Sequence, residues 1–171
     1  MSSKTNHSLP SPTPEVVDKV LFCRTCARYA TGVTVVTALG PHGAPHGMTA
    51  NSFTSVSLSP PLILVAVDHG SRMTGYLRAA RHFGVNILEE SQRALSAHFA
   101  RIGHDRFAGV EWQPGRSGVP LIPGCLAQLE CELKQMVEAG DHTLFIGEVL
   151  RAAWREGEPL LYFNSRYRQL R

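Results

Sequence analysis

The sequence lacks several features that would place the protein in well-known functional classes. Its 171 residues contain no apolar run approaching the ~20 residues of a membrane-spanning helix. Its 17 Lys and Arg residues against 14 Asp and Glu give a net charge of only +3, without the clustered basic face that binds nucleic acid. Residues 1–14 have no apolar stretch typical of a secretory signal. We therefore expect a cytoplasmic protein whose partners are neither membranes nor nucleic acids.

Motifs for two common kinds of site are also missing. No G-x-G-x-x-G occurs, so a Rossmann dinucleotide site is not indicated. Cys23 and Cys26 give one C-x-x-C inside a predicted helix, and the other two cysteines lack metal-ligand spacing. His42 and His46 flank a Gly/Pro turn without a supporting carboxylate, so we expect exposed loop residues and not metal ligands. The prediction is that no metal is bound and that the cysteines are reduced packing residues.

Hydrophobic periodicity predicts a mainly β protein with flanking helices, formed by residues 15–171 after a disordered tail over 1–14. Helices are predicted over 15–29, 71–81 and 91–101, the first beginning at Thr13–Glu15 and burying Val16, Val20, Cys23 and Ala27. Strands are predicted over 31–37, 62–67, 83–88, 125–137, 142–154 and 160–163. The two longest strands flank a Gly-Asp turn and form a hairpin. Such antiparallel strands favour a barrel or a sandwich.

The most distinctive stretch runs over residues 47–59. It carries six hydroxyl side chains and one amide among small residues: Thr49, Asn51, Ser52, Thr54, Ser55, Ser57 and Ser59. Small residues let a flat ligand approach the backbone, and hydroxyls add donors for phosphate or ring carbonyls. A redox flavin needs both. The alternative is a solvent-facing strand and turn that is simply rich in Ser and Thr.

A second polar group lies at the start of the helix over 71–81. Ser71 suits the N-cap position, and Thr74 follows one turn later. Because a helix N-terminus presents unpaired N–H groups and a positive dipole end, Ser71, Arg72 and Thr74 can hold a phosphate. Simple capping by Ser71 is the alternative.

Several segments together resemble the flavin reductase components of two-component flavin monooxygenases, in the FMN-binding split-barrel group. The resemblance is greatest to the reductases that serve phenol and 4-hydroxyphenylacetate hydroxylases. The segments follow one another in the family's order: ATGVTVVT (30–37), GMTANSFTSVSL (47–58), FGVNIL (83–88), AGDHTLFIGEV (139–149) and PLLYF (159–163), with an Arg-Tyr pair at 166–167.

This resemblance implies a six-stranded antiparallel Greek-key split barrel, working as a homodimer with the flavin near the subunit interface. The implied activity is that of an NAD(P)H:flavin oxidoreductase, which passes hydride from NADH to flavin and supplies reduced FAD or FMN to a separate monooxygenase. The choice between FAD and FMN, and between NADH and NADPH, stays open. Two alternatives are a non-catalytic flavin-binding or carrier protein and a flavin-dependent ferric reductase.

The resemblance also implies roles for individual residues. Thr49, Ala50, Asn51 and Ser52 contact the edge of the isoalloxazine ring, and Ser55 faces the ribityl or phosphate region. Phosphate is bound by Ser71 and Thr74, while Arg106 and Phe107 stand where the family often has a basic residue beside an aromatic one. His142, in the Gly-Asp-His turn, borders the nicotinamide as the catalytic residue, and Tyr167 closes the pocket. The alternative for His142 is a structural turn histidine bonded to the backbone.

Overall fold

The fold was analysed in a computed structural model, which describes residues 17–101, 103 and 105–170. Within these ranges the helices are α1 (Lys19–Cys26), α2 (Arg72–Ala79) and α3 (Arg93–Ala100), with 3-10 turns at Pro41–Gly43 and Glu90–Gln92. The strands are β1 (Thr31–Gly32), β2 (Thr34–Leu39), β3 (Pro45–Ala50), β4 (Phe53–Leu58), β5 (Pro61–Asp68), β6 (His82–Ile87), β7 (Gln113–Pro114), β8 (Pro120–Leu121), β9 (Ala127–Ala139), β10 (His142–Trp154), β11 (Leu161–Phe163) and β12 (Arg166–Arg168).

The main sheet is antiparallel and has the strand order β3-β2-β6-β9-β10-β5-β4. Smaller sheets are formed by β1-β11-β12 and by β7-β8. The mainly β, antiparallel character is as predicted, but the main sheet has seven strands where the resemblance implied six. The hydroxyl-rich stretch supplies the difference, because Asn51 and Ser52 break it into β3 and β4, which lie on opposite edges of the sheet.

The predicted hairpin is confirmed and forms the longest part of the sheet. Strands β9 and β10 each contain 13 residues and pair from Ala127–Trp154 to Ala139–His142. Gly140 turns the chain with φ +64°, a left-handed conformation that glycine adopts without a Cβ penalty. The turn places His142 at the start of β10, opposite Asp68 at the end of β5.

Two apolar clusters lie on opposite faces of β2. Val36 belongs to the cluster that α2 covers with Met73 and Leu77, and the neighbouring Val35 belongs to the cluster that α3 covers with Phe99. Because successive strand residues point to opposite faces, an unbroken run of buried residues in β2 indicates a strand covered on both sides. The two helices are thereby held against the strand that pairs with β3.

Helix α1 differs from its prediction. It begins at Lys19, because the Asp18 carboxylate accepts a hydrogen bond of 2.7 Å from the Leu21 N–H and caps it. None of its residues is buried, and Val20 is 57% exposed, so the predicted inward face of the helix is wrong for this chain taken alone. The predicted start at Thr13–Glu15, the tail over 1–14 and Val16 lie outside the described residues.

The cysteines divide into two kinds. All four are free thiols; Cys125 and Cys131 are buried, whereas Cys23 and Cys26 are exposed on α1. Burial raises the pKa of Cys125 to about 11 and that of Cys131 to about 12, which keeps both thiols protonated and unreactive. The prediction of packing residues therefore holds for Cys125 and Cys131 and is wrong for Cys23 and Cys26.

No helix among the described residues has the length and apolarity to cross a bilayer.

Candidate functional site

A cavity of about 200 Å³ beside the end of β3 gathers residues that are far apart in the chain. Three consecutive members of the hydroxyl-rich stretch, Thr49, Ala50 and Asn51, line it together with Tyr167 from β12, whereas Ser52 does not. The full lining is Val33, Thr49, Ala50, Asn51, Ser96, Ala100, Tyr162 and Tyr167. The walls combine small residues, polar groups and aromatic rings, which suits a flat ligand with a polar edge.

The hydroxyls of this stretch hold the site together. Thr49 Oγ1 donates to the Ser96 carbonyl at 2.7 Å and so ties β3 to α3. Ser52 Oγ donates to the Ala66 carbonyl at 2.7 Å and accepts from the Ala66 N–H at 3.2 Å, which ties the β3–β4 connection to β5. Ser55 lies farther along β4, opposite Ile63, and lines none of the cavities described here. Its contact with the ribityl or phosphate region remains a prediction.

Tyr167 is held in position by its neighbours. Its hydroxyl lies 2.9 Å from Ser96 Oγ, its ring centroid is 5.6 Å from that of Tyr162, and the Arg93 guanidinium carbon lies 5.2 Å from its ring centroid. Sequence reasoning missed Ser96, Tyr162 and Arg93. The helical spacing of Arg93 and Ser96, which puts them on one side of α3, was the available signal.

The start of α2 shows the capping by Ser71 that the sequence offered as one alternative, while the phosphate site there stays a prediction. Ser71 Oγ accepts from the Met73 N–H at 3.2 Å and lies 3.2 Å from Met48 Sδ. Thr74 is only 6% exposed, and its hydroxyl donates to the Asp68 carbonyl at 2.6 Å. Thr74 therefore stabilises the loop before α2, and the expected direct phosphate contact by its side chain is not supported. Ser71 and the exposed Arg72 are the residues placed to meet an anion there.

Arg106 and Phe107 have separate environments although they are adjacent. Arg106 donates to the Gly47 carbonyl at 2.9 Å and to the Arg101 carbonyl at 3.0 Å, and it lines a cavity in front of β3. Phe107 is buried, with its ring centroid 5.1 Å from that of Phe99. The prediction that Phe107 contacts the cofactor is therefore corrected: its ring packs in the core beneath Gly47.

His46 is the clearest departure from the sequence analysis. It is 8% exposed and not a loop residue, because β3 already begins at Pro45 and turns its ring against Tyr76, with a centroid distance of 4.2 Å. Within the described part of the chain, its Nε2 is a buried atom without a hydrogen-bond partner. Burial, then the positive charges of Arg106 and Arg72, lower the pKa of His46 to about 4, so the ring is neutral near pH 7.

The His142 side chain forms a hydrogen bond with a carboxylate, whereas the structural alternative predicted a hydrogen bond to the backbone. Its Nδ1 lies 2.7 Å from Asp141 Oδ1, so a protonated Nδ1 donates to that oxygen. This hydrogen bond is the main reason why the pKa of Asp141 is lowered. A carboxylate on one ring nitrogen sets the tautomer and the orientation of the other nitrogen. His142 is thus a half-exposed, oriented imidazole at the mouth of the β9–β10 turn.

Comparison with known proteins identifies the family to which the chain belongs. Residues 26–171 match the flavin reductase like domain. The chain belongs to the flavin reductase family.

Relatives of this family member agree in both sequence and structure. The chain is 47% identical over 146 residues to the FMN reductase (NADH) SmoA of Agrobacterium fabrum, covering 85% of this chain and 83% of that protein. The structure of the NADH:FAD oxidoreductase SgcE6 of Streptomyces globisporus, in complex with NAD and FAD fragments, is 44% identical, with a TM-score of 0.86 over 92% of this chain and 98% of SgcE6. The styrene monooxygenase flavin reductase of Pseudomonas putida is 39% identical, with a TM-score of 0.81 over 88% and 97%.

The identification confirms the resemblance stated from the sequence. The protein is an NAD(P)H-dependent flavin reductase, and FMN, FAD and NADH are the cofactors of its class.

Proposed function

We propose that this flavin reductase, with residues 15–171 as its domain, transfers hydride from NADH to FAD or FMN and supplies the reduced flavin to a separate monooxygenase. The observation that carries the proposal is the cavity beside β3, where Thr49, Ala50 and Asn51 meet Tyr167. The styrene monooxygenase flavin reductase supports a monooxygenase as the partner of this protein, because the name of that relative states the oxygenase to which it belongs.

The residues of the cavity fit a flavin ring. Ala50 adds little bulk, so backbone groups of β3 can approach the ligand, while the exposed Asn51 amide offers both a donor and an acceptor. Tyr162 and Tyr167 contribute flat aromatic walls. When bound, the flavin supplies the acceptor for the hydride that NADH carries.

The protein's own residues have positioning roles in this reaction. Backbone groups of Thr49 and Ala50 and the Asn51 side chain hold the polar edge of the ring, while Ser52 positions this segment through its hydrogen bonds to Ala66. Tyr167, held by Ser96, closes the cavity. Hydride transfer needs no nucleophile, so catalysis rests on orientation and on the exclusion of water. His142, with its Nδ1 proton donated to Asp141, borders the nicotinamide and presents Nε2 there as a hydrogen-bond acceptor that positions it. Ser71 and Arg72 at the start of α2 hold the flavin phosphate.

We further propose that the seven-stranded sheet closes as a split barrel. Its two edge strands, β3 and β4, are joined by only Asn51 and Ser52, and Ser52 bonds to β5 through both atoms of its hydroxyl. A connection of two residues between the edges supports closure, because it cannot span an open sheet.

A homodimer that completes the flavin site is part of the same proposal. The cavity of about 200 Å³ is smaller than the roughly 300–1,000 Å³ typical of ligand pockets, so one chain encloses only part of a flavin. Large apolar side chains are exposed along the sheet: Leu58 on β4, Met136 on β9, and Leu150 and Trp154 on β10. Exposed apolar surface of this kind supports association with a second copy.

The test is loss of NADH absorbance in air, with FMN and FAD supplied separately. We expect NADH oxidation well above the rate without protein. Binding of flavin without NADH oxidation would refute the enzymatic proposal in favour of a carrier. A flavin-dependent rate of ferric iron reduction that exceeds the rate of NADH oxidation with free flavin as the acceptor would favour a ferric reductase.

A further inference from the structure

Helix α1 carries two of the four cysteines, and their surroundings differ from those of the other two. Cys23 and Cys26 are both exposed free thiols, whereas Cys125 and Cys131 are buried. Cysteine is among the residue types that are most often buried, and a packing role explains a buried one. None of the residues of α1 is buried, so packing does not explain why two exposed positions of this helix are both cysteines.

The spacing of the pair suits a bond between the two sulfur atoms. Cys23 and Cys26 are three residues apart on one helix, which places their Cα atoms roughly 5 Å apart and their Cβ atoms about 5–6 Å apart. A disulfide accepts Cα distances of about 4.4–6.8 Å but needs Cβ distances of about 3.5–4.5 Å. The bond can therefore form, provided that the turn of α1 between the two residues tightens by about 1–2 Å.

The end of α1 already has the hydrogen bonds of a tighter turn. The Arg28 N–H donates to the Thr25 carbonyl at 3.0 Å. The Tyr29 N–H donates to the Cys26 carbonyl, also at 3.0 Å. Both bonds span three residues, as in a 3-10 helix, whose side chains at positions i and i+3 eclipse one another. Extending this geometry back to Cys23 brings its side chain onto that of Cys26.

The chain that leaves α1 is attached to the wall of the flavin cavity. The carbonyl of Ala27, directly after Cys26, accepts a 2.9 Å hydrogen bond from the Asn164 N–H. Asn164 lies in the turn between β11 and β12, where Tyr162 is paired with Tyr167. Both tyrosines line the cavity beside the end of β3, and β1 pairs with β11 as well. A shift at the end of α1 therefore reaches Tyr167 through one hydrogen bond and one short hairpin.

We propose that Cys23 and Cys26 are a site of reversible oxidation, at which hydrogen peroxide converts the two thiols into a disulfide and thereby loosens the wall of the flavin cavity. The inference rests on the proposed function, because the oxidant arises from the product of the reductase. Reduced flavin that no monooxygenase takes up passes two electrons and two protons to O2, which gives oxidised flavin and hydrogen peroxide. Weaker flavin binding by the oxidised protein then limits further flavin reduction.

The reaction balances with hydrogen peroxide as its co-reactant. The sulfur of one cysteine, as a thiolate, attacks a peroxide oxygen: an S–O bond forms, the O–O bond breaks, and the leaving hydroxide takes up the thiol proton to become water. The sulfur of the other cysteine then attacks the sulfenic acid, so that the S–S bond forms, the S–O bond breaks and a second water leaves. Two thiols are oxidised to one disulfide, and one peroxide is reduced to two waters. A dithiol reductant reverses the change by thiol–disulfide exchange.

The test measures thiols and FMN affinity in the full chain after reduction and after treatment with hydrogen peroxide. Exposed thiols are counted with a chromogenic disulfide reagent, intact mass detects the loss of two hydrogen atoms, and a non-reducing gel shows whether the bond lies within one chain. We expect the wild type to lose both exposed thiols without crosslinking and to bind FMN at least about threefold more weakly, with full recovery after reduction. Turnover of NADH with FMN in air should give the same loss of thiols, and catalase should prevent it.

Two variants control the experiment. The double variant Cys23→Ser with Cys26→Ser should keep its FMN affinity within about 1.5-fold after peroxide treatment, and any effect of methionine oxidation would appear in it equally. Thr25→Ser changes the exposed residue between the cysteines but keeps both thiols, so it should respond to peroxide as the wild type does.

Several results would overturn the proposal. They are exposed thiols that survive peroxide, a disulfide between two chains, an equal change of FMN affinity in the double variant, and a disulfide that leaves FMN affinity within about 1.5-fold of the reduced protein. Failure of the proposed function looks different, because the fully reduced wild type would then oxidise no NADH with added flavin. Peroxide is added directly in the first measurement, so the oxidation of the thiols is tested without flavin turnover.

Discussion

The buried His46 makes the stability of the protein depend on pH in a defined window. Its pKa is about 4 in the folded chain against an ordinary 6.5. Between these values the unfolded chain binds a proton that the folded chain does not, so the free energy of unfolding falls as the pH falls from about 6.5 to about 4. A difference of about 2.5 pKa units corresponds to roughly 3 kcal/mol, which is a large part of the stability of a small domain.

Urea unfolding at about pH 7 and about pH 4.5, in phosphate-free buffer, measures this effect. The wild type is compared with His46→Gln, which carries no charge at either pH. We expect the wild type to lose about 2–3 kcal/mol more than His46→Gln between the two pH values. His42→Asn is the control: His42 is exposed with φ +60°, a conformation that Asn tolerates, and this variant should follow the wild type.

A parallel loss of stability in the wild type and in His46→Gln would refute the reasoning. It would mean that His46 is protonated as readily in the folded chain as in the unfolded one. The ring would then be solvated in the folded chain, and its packing on Tyr76 would not keep water from Nε2.

Three further predictions concern the sheet and the site. Gly84→Ala should lower the free energy of unfolding by about 1–3 kcal/mol in urea, because the new methyl group collides with Thr37 Oγ1, whereas Gly32→Ala, with nothing within 4 Å, is the strain-free comparison. Glu130→Gln should lower the free energy of unfolding by about 1.5–3 kcal/mol near pH 7. Burial raises the pKa of the Glu130 carboxyl, but three hydrogen bonds from the β7–β8 turn outweigh burial and lower it. The difference between the variant and the wild type should therefore vanish as the pH falls through the lowered pKa. His142→Asn should lower kcat about tenfold or more with FMN affinity within about twofold, and unchanged turnover would remove His142 from the catalytic role.

Local patterns were sufficient for much of the fold. Alternation and a Gly-Asp turn predicted the β9–β10 hairpin, and the N-cap preference of serine predicted the start of α2 at Ser71. The order of several weak segments was enough to indicate the flavin reductase family. These features depend on neighbours within one strand, turn or helix, so they can be read without knowing what packs against them.

Errors arose where the partner of a residue is distant in the chain. A Gly/Pro turn predicted an exposed His46, but the ring is covered by Tyr76 from α2, 30 residues later in the sequence. Helical spacing predicted a buried face for α1, whereas no residue of that helix is buried. Both cases concern what covers a side chain, which sequence position does not state.

The candidate site shows the same difference between what local sequence patterns predict and what distant contacts decide. By itself the sequence determined the chemical types available: a hydroxyl-rich stretch on small residues, a capped helix start and a histidine after an acidic turn. Only the tertiary structure decided which of these groups are already used within the protein, since it committed the Thr74 hydroxyl to a backbone carbonyl, buried Phe107 in the core and brought Tyr167 to Ser96. Hydrogen bonding and burial are satisfied over the whole chain at once, so the free surface of a site is fixed by packing and not by local pattern.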